Sequence, residues 1–138
     1  MNEIEIHVRF GECDPAGIVF YPNFFKWYDH GLWSLFATIG LDRETAHRRY
    51  GILGWPLVAA ESRFLAPTKE GDRLILRSEI ARWGRSSFEV RHRLRRGETP
   101  IAEGRETRVW AAPKPGGGLL PLPIPEEIRA RLSPVPAE

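Results

Sequence analysis

Little in this chain points to the commoner chemistries. It holds one cysteine, Cys13, so no internal disulfide can form and a reducing, cytoplasmic compartment is expected. No apolar run approaches the ~20 residues that span a bilayer. The opening Met1-Asn2-Glu3-Ile4-Glu5 lacks the basic-then-apolar layout of a secretory leader. His7, His30, His47 and His92 show no metal-ligand spacing. There is no Gly-x-Ser-x-Gly elbow, His-Glu-x-x-His, Cys-x-x-Cys or phosphate-cradling glycine loop, so neither a metal nor a serine nucleophile is expected. A net charge of +2 is too small to argue for nucleic acid, although arginines cluster from Arg82 to Arg96. That cluster reads first as the solvated face of strands balanced by Glu89, Glu98 and Glu103, and second as a site for an anionic ligand.

What is present fits a single domain over residues 1–138, long enough to bury about two thirds of its unfolded surface. Ile4, Ile6, Val8 and Phe10 alternate with polar residues, the pattern of a half-buried strand. A loop rich in Gly11, Pro15 and Gly17 follows. From Pro22 to about Ile39 the period changes: Phe24, Phe25, Tyr28, Leu32, Leu35, Phe36 and Ile39 recur at three- and four-residue steps. Pro22 suits the first helical turn and Gly40 the C-terminal stop. Trp27 and Trp33 widen the apolar face, so the helix is expected to be covered on most sides.

Asp42 suits the cap of a short second helix through Arg49. Strands are expected over Leu57 to Leu65, Asp72 to Trp83, Ser87 to Arg96 and Ile101 to Ala112, joined by breaks short enough for hairpins. Residues 113–138 form a Pro/Gly-rich arm ending in a short helix over Glu126 to Leu132. The expected architecture is α+β, an antiparallel meander curled on a long central helix. Its sheet edges invite pairing between subunits, so a dimer is the first expectation.

Asp14 is the leading candidate for chemistry. A carboxylate can act as nucleophile or as general base, and the start of the helix offers free N–H groups to an oxygen that gains charge. Against this stands a purely structural role in the Asp-Pro turn. Cys13 reads as a packing residue and Glu61 as an ion-pair partner. Asp29, among aromatics in the helix, is either exposed, a cap, or a polar group in a pocket.

The run Phe10-Gly11-Glu12-Cys13-Asp14-Pro15-Ala16-Gly17-Ile18-Val19-Phe20-Tyr21-Pro22-Asn23-Phe24 resembles the signature of the 4-hydroxybenzoyl-CoA thioesterase family of hotdog-fold enzymes, in its aspartate-dependent branch. Weaker likeness continues through Gly51-Ile52-Leu53-Gly54, Pro56, Trp83 to Arg91 and the strand ending at Trp110. The resemblance implies a hotdog fold and hydrolysis of an acyl-CoA thioester, aromatic or short to medium in its acyl group. It implies Asp14 as nucleophile or general base, and the Tyr21 backbone N–H as the group that polarises the carbonyl, so that Tyr21→Phe should be mild. Asp29 would face the acyl pocket, with Trp55 near it. Arg85 and Ser87 would meet the CoA nucleotide, and a guanidinium suits its phosphates. Trp55 stands where the hydroxybenzoyl enzyme carries a small polar residue, and Gly84 and Ser86 where it carries cations. No metal and no cofactor is implied; CoA belongs to the substrate. A homodimer or dimer of dimers, a homotetramer, with sites at the subunit interface is implied, without nucleic acid or membrane. The alternative is a non-catalytic acyl-CoA or acyl-carrier-binding hotdog module, which would not need Asp14. A hotdog dehydratase would need a histidine that the signature lacks.

Overall fold

The computed structural model describes residues 1–134; the last four residues of the expected arm lie outside it. The chain runs β1 (Asn2–His7), α1 (Pro22–Ala37), α2 (Arg43–Tyr50), β2 (Leu57–Phe64), β3 (Arg73–Trp83), β4 (Ser87–Arg96), β5 (Thr99–Val109), β6 (Ala111–Pro113), β7 (Leu119–Pro121) and α3 (Glu126–Arg131). Helix α1 packs on one face of a five-stranded antiparallel sheet, against β3, β1 and β4. This is the hotdog arrangement, of the α+β class.

The apolar period of α1 turns Phe24, Trp27, Tyr28, Leu32, Leu35 and Phe36 into the sheet. Gly40, at φ 74°, takes the left-handed turn that ends it, while the Leu41 N–H returns to the Phe36 carbonyl. Asp42 caps α2 by accepting from the Thr45 N–H at 2.7 Å.

Two sequence expectations are corrected. The first strand stops at His7, because the chain turns into a 3-10 segment over Phe10–Glu12 that leaves Phe10 79% exposed. The meander also holds only for β3-β4-β5. The strand order is β1-β3-β4-β5-β2, so Leu65 to Asp72 is no hairpin. It carries the chain from one edge strand, β2 on β5, to β3, whose outer neighbour is β1. Strand pairing is set by which inner faces the helix must share, and hairpin-length spacing does not report it.

The interior divides in two. One cluster gathers Val8, Val19, Phe24, Trp27, Tyr28, Leu74, Leu76 and Leu94 under the start of α1. The other gathers Leu35, Phe36, Trp55, Phe88, Trp110 and Ile128 under its end, sealed by α3. Between them runs a buried polar row: Ser78, His92, Glu106 and Arg108. Two glycines let the helix come down on it. A Cβ on Gly31 would lie 2.3 Å from Ser78 Oγ, and one on Gly104 would lie 2.4 Å from the Tyr28 ring.

Candidate active site

The loop after β1 is folded by its own polar groups. Asp14 donates its N–H to the Ile18 carbonyl and accepts from the Gly17 N–H, both at 2.9 Å. Asp14 Oδ1 also accepts from the Ala16 N–H at 2.9 Å, so the turn-stabilising role is real. It occupies one carboxylate oxygen; the other has no hydrogen-bond partner among the described residues. Gly17, at φ 82°, makes the reversal.

Glu12, which the sequence reading left without a role, straps this loop to the helix. Its Oε1 accepts from the Arg9 N–H at 2.9 Å, and its Oε2 accepts from Lys26 Nζ at 2.9 Å and Trp27 Nε1 at 3.0 Å. Its carbonyl accepts from the Phe20 N–H and from Asn23 Nδ2. Burial raises the affinity of this carboxyl for a proton, but Lys26, the Arg9 N–H and Trp27 outweigh it and hold the pKa below its ordinary value. A glutamate three residues after an exposed turn start, with a lysine and a tryptophan about one turn into the following helix, was the available signal.

Beside Asp14, α1 begins at Tyr21-Pro22. Pro22 has no N–H, and the Asn23 and Phe24 N–H groups bond back to Phe20 and Tyr21. The Tyr21 N–H makes no hydrogen bond among the described residues and stands at the positive end of the helix. Asp14 and Tyr21 share a cleft of about 410 Å³ whose apolar walls include Ile18, Phe24, Phe64 and Leu65. The Val19 N–H, bonded to the Thr68 carbonyl, ties the loop to the chain leaving β2. A carboxylate with a free oxygen, a free N–H and an apolar wall can receive an acyl group and act on its carbonyl.

The other candidates lie elsewhere in the protomer. Arg85, exposed, and Ser87, half-buried, sit at the β3–β4 turn. Strand β4 separates that turn from the end near Asp14 by about 30 Å, at 3.3 Å per residue. Asp29 is half-exposed and accepts from Arg108 Nη2 at 3.1 Å. Trp55 is 3% exposed and stacks on Phe36 with ring centroids 4.0 Å apart, so in the protomer it is a core residue and lines no cleft with Asp14. Asp29, Trp55 and Arg108 gather at the Leu57 end of β2, while Asp14 stands at the Phe64 end.

Among the described residues no group of His, Cys, Asp and Glu could hold a metal, and no helix is long and apolar enough to cross a membrane. The fold and the aspartate-bearing cleft define a hotdog enzyme of the thioesterase kind. The chain belongs to the Thioesterase-like superfamily, whose family model matches residues 8–132. It is 37% identical over 112 residues to the 4-hydroxybenzoyl-CoA thioesterase of Pseudomonas sp. (strain CBS-3), covering 75% of this chain and 78% of that protein. Among solved structures it is similar to a gentisyl-coenzyme A thioesterase, at a TM-score of 0.82 and 34% identity, covering 93% and 99% of the two chains. It is also similar to a mutant of 4-hydroxybenzoyl CoA thioesterase complexed with 4-hydroxybenzoyl CoA, at a TM-score of 0.88 and 28% identity, covering 96% and 98%.

Proposed function

We propose that the chain hydrolyses the thioester of an aromatic, ring-hydroxylated acyl-CoA, with Asp14 as the reacting carboxylate. The observation that carries this reading is the free Asp14 oxygen in an apolar cleft beside the unpaired Tyr21 N–H. The thioester carbonyl oxygen would accept from the Tyr21 N–H, which stabilises the charge it gains. Asp14 would then either attack the carbonyl carbon, expelling the CoA thiolate and leaving a mixed anhydride for water to open, or draw a proton from the attacking water. Both routes consume one water and release the acid and the free thiol. The relatives named for 4-hydroxybenzoyl and gentisyl esters support the acyl class, since both acyl groups are hydroxylated rings.

The placement of the remaining residues supports a site shared by two subunits. Strand β2 is an edge with both faces exposed, including Leu57 at 50%, Val58 at 64% and Phe64 at 50%. Antiparallel pairing of β2 with a second β2 would cover it. Phe64 and Leu57 are about 23 Å apart along the strand at 3.3 Å per residue. The two-fold operation would therefore lay the Asp14 end of one protomer beside the Asp29 end of its partner. Asp29 would then face the ring hydroxyl, and the β3–β4 turn with Arg85 and Ser87 would lie on the CoA side. A reduced, lone Cys13 suits a cytoplasmic enzyme.

The test is free-thiol release from benzoyl-, 4-hydroxybenzoyl-, phenylacetyl- and hexanoyl-CoA, with Asp14→Asn alongside. Wild type should turn over the hydroxybenzoyl ester, and the variant should lose at least about a hundredfold. Undiminished turnover in Asp14→Asn would remove Asp14 from the chemistry, and no turnover of any ester would favour a binding module. Sedimentation of the purified chain should give a dimer or a multiple of one; an active monomer would refute the shared site.

A further inference from the structure

Four polar side chains are sealed between the two halves of the core, and nothing in the hydrolysis of a thioester uses them. Ser78 Oγ and His92 Nδ1 are 2.8 Å apart, His92 Nε2 and Glu106 Oε1 are 2.7 Å apart, and Arg108 Nη2 donates to Glu106 Oε2 at 2.7 Å. Ser78 is 1% exposed, His92 0%, Glu106 2% and Arg108 7%. The serine, histidine and glutamate are linked as in a nucleophilic triad, but no substrate reaches a serine so enclosed. Stability is also a poor reason for the row. Buried ion pairs can often be replaced by well-packed apolar residues without loss.

The row has one outlet. Arg108 Nη1 donates to the Trp55 carbonyl at 3.0 Å, while Nη2 is shared between Glu106 and Asp29 Oδ1, the latter at 3.1 Å. Asp29 is the half-exposed end of an otherwise enclosed chain, and its Oδ2 has no hydrogen-bond partner among the described residues. Each inner member fixes the next. Stacking on Tyr28, at 4.8 Å and 10°, and the contact with Ser78 hold His92; His92 orients Glu106; Glu106 orients Arg108. The charges matter as much as the angles. Glu106 shares the guanidinium with Asp29, so one Asp29 oxygen is clamped while the other is presented.

We infer that Ser78, His92, Glu106 and Arg108 are positioning residues that hold Asp29 as a fixed, charged acceptor, and so set the preference for ring-hydroxylated over plain aromatic acyl groups. This rests on the reading of Asp29 as the polar contact of the acyl pocket. Replacing Glu106 by glutamine leaves the Arg108 charge to Asp29 alone, which draws that carboxylate inward and weakens it as an acceptor for a hydroxyl.

The experiment measures kcat/KM for 4-hydroxybenzoyl-CoA and benzoyl-CoA, and reads their ratio, in wild type, Asp29→Asn, Glu106→Gln and the double variant. A hydrogen bond to a charged partner is worth enough that Asp29→Asn should lower the ratio about tenfold. Glu106→Gln should lower it about fivefold, and the double variant no further than Asp29→Asn alone, the non-additivity of residues acting through one another. Equal losses on both esters, or additive effects on the ratio, would overturn the assignment, since a purely structural role moves both esters together. Should Glu106→Gln not fold, Ser78→Ala tests the far end of the chain, with about a twofold fall in the ratio expected and no change overturning it. An unchanged ratio in Asp29→Asn would remove the positioning role and the acyl-pocket role of Asp29. The Asp14 centre would then stand or fall by its own thiol-release assay.

Discussion

Removing the Glu12 carboxylate tests whether the Asp14 loop is held by its strap. Glu12→Ala deletes three accepted hydrogen bonds at once. Their weights differ with exposure. The Lys26 ammonium is 60% exposed, so its pair contributes only about 0.5 kcal/mol. The Arg9 N–H lies near solvent and recovers a partner in water, for a net loss of about 0.5 kcal/mol. Trp27 is 4% exposed, and its indole N–H left without an acceptor costs about 1–3 kcal/mol. The sum is about 3 kcal/mol for Glu12→Ala. Glu12→Gln keeps a carbonyl acceptor for Trp27 and should cost about 1 kcal/mol. Urea unfolding read by tryptophan fluorescence gives both values from midpoints at constant slope. Thiol release on the same samples should show Glu12→Ala losing more than Glu12→Gln, because the Phe20 and Asn23 bonds to the Glu12 carbonyl then hold a loosened turn. Both variants within about 0.5 kcal/mol of wild type, or Gln as damaging as Ala, would refute the reasoning.

Two further perturbations address the polar row. Gly104→Ala would place a methyl 2.4 Å and 2.6 Å from two Tyr28 ring carbons, and that ring is held by the His92 stack and by Ser62 at 2.8 Å. Such overpacking should cost about 3 kcal/mol, or about 10 °C in Tm by calorimetry; a Tm within 2 °C would show that the helix can shift. Glu106 bears on acid stability. Burial raises its pKa, but His92 and Arg108 outweigh this and lower it from the usual 4.5. A lowered native pKa contributes stability that is fully present above the unfolded value and lost as pH falls through the native one. Melting from pH 7 to pH 3 should therefore fall more steeply below about 4.5 in wild type than in Glu106→Gln, and parallel curves would contradict this.

The elements were legible because their signals are local. The period of α1, the Asp42 cap, the Gly40 stop and the alternation of β3 and β4 each depend on residues within a turn or two. Strand order was not legible, because a break of hairpin length between Leu65 and Asp72 looks alike whether the next strand pairs or crosses. Glu12 hid as one acid among turn residues, since its three partners come from two elements. The polar row has a trace in the sequence pattern. Ala102, Gly104, Glu106, Arg108 and Trp110 alternate at every second position, which puts Glu106 and Arg108 on the inner face with Trp110. His92 falls inward by the same count from Phe88 and Val90. Trp55 was not placed by the sequence alone, because an aromatic suits a core as well as a pocket wall.

The strand order also says something about when the cleft comes into being. The β3-β4-β5 meander joins neighbours in sequence, and short loops close cheaply and quickly. The edges are different: β1 must find β3 some seventy positions downstream, and β2 must find β5 some forty-five away. Asp14 hangs from the first of these edges, and the wall at Phe64 and Leu65 belongs to the second. The cleft thus depends on the two strand pairings that close the longest loops in the sheet. The same β1 edge gives Ile6, and the chain beyond it Val8 and Val19, to the core under the start of α1, so the cleft and that half of the core depend on one pairing.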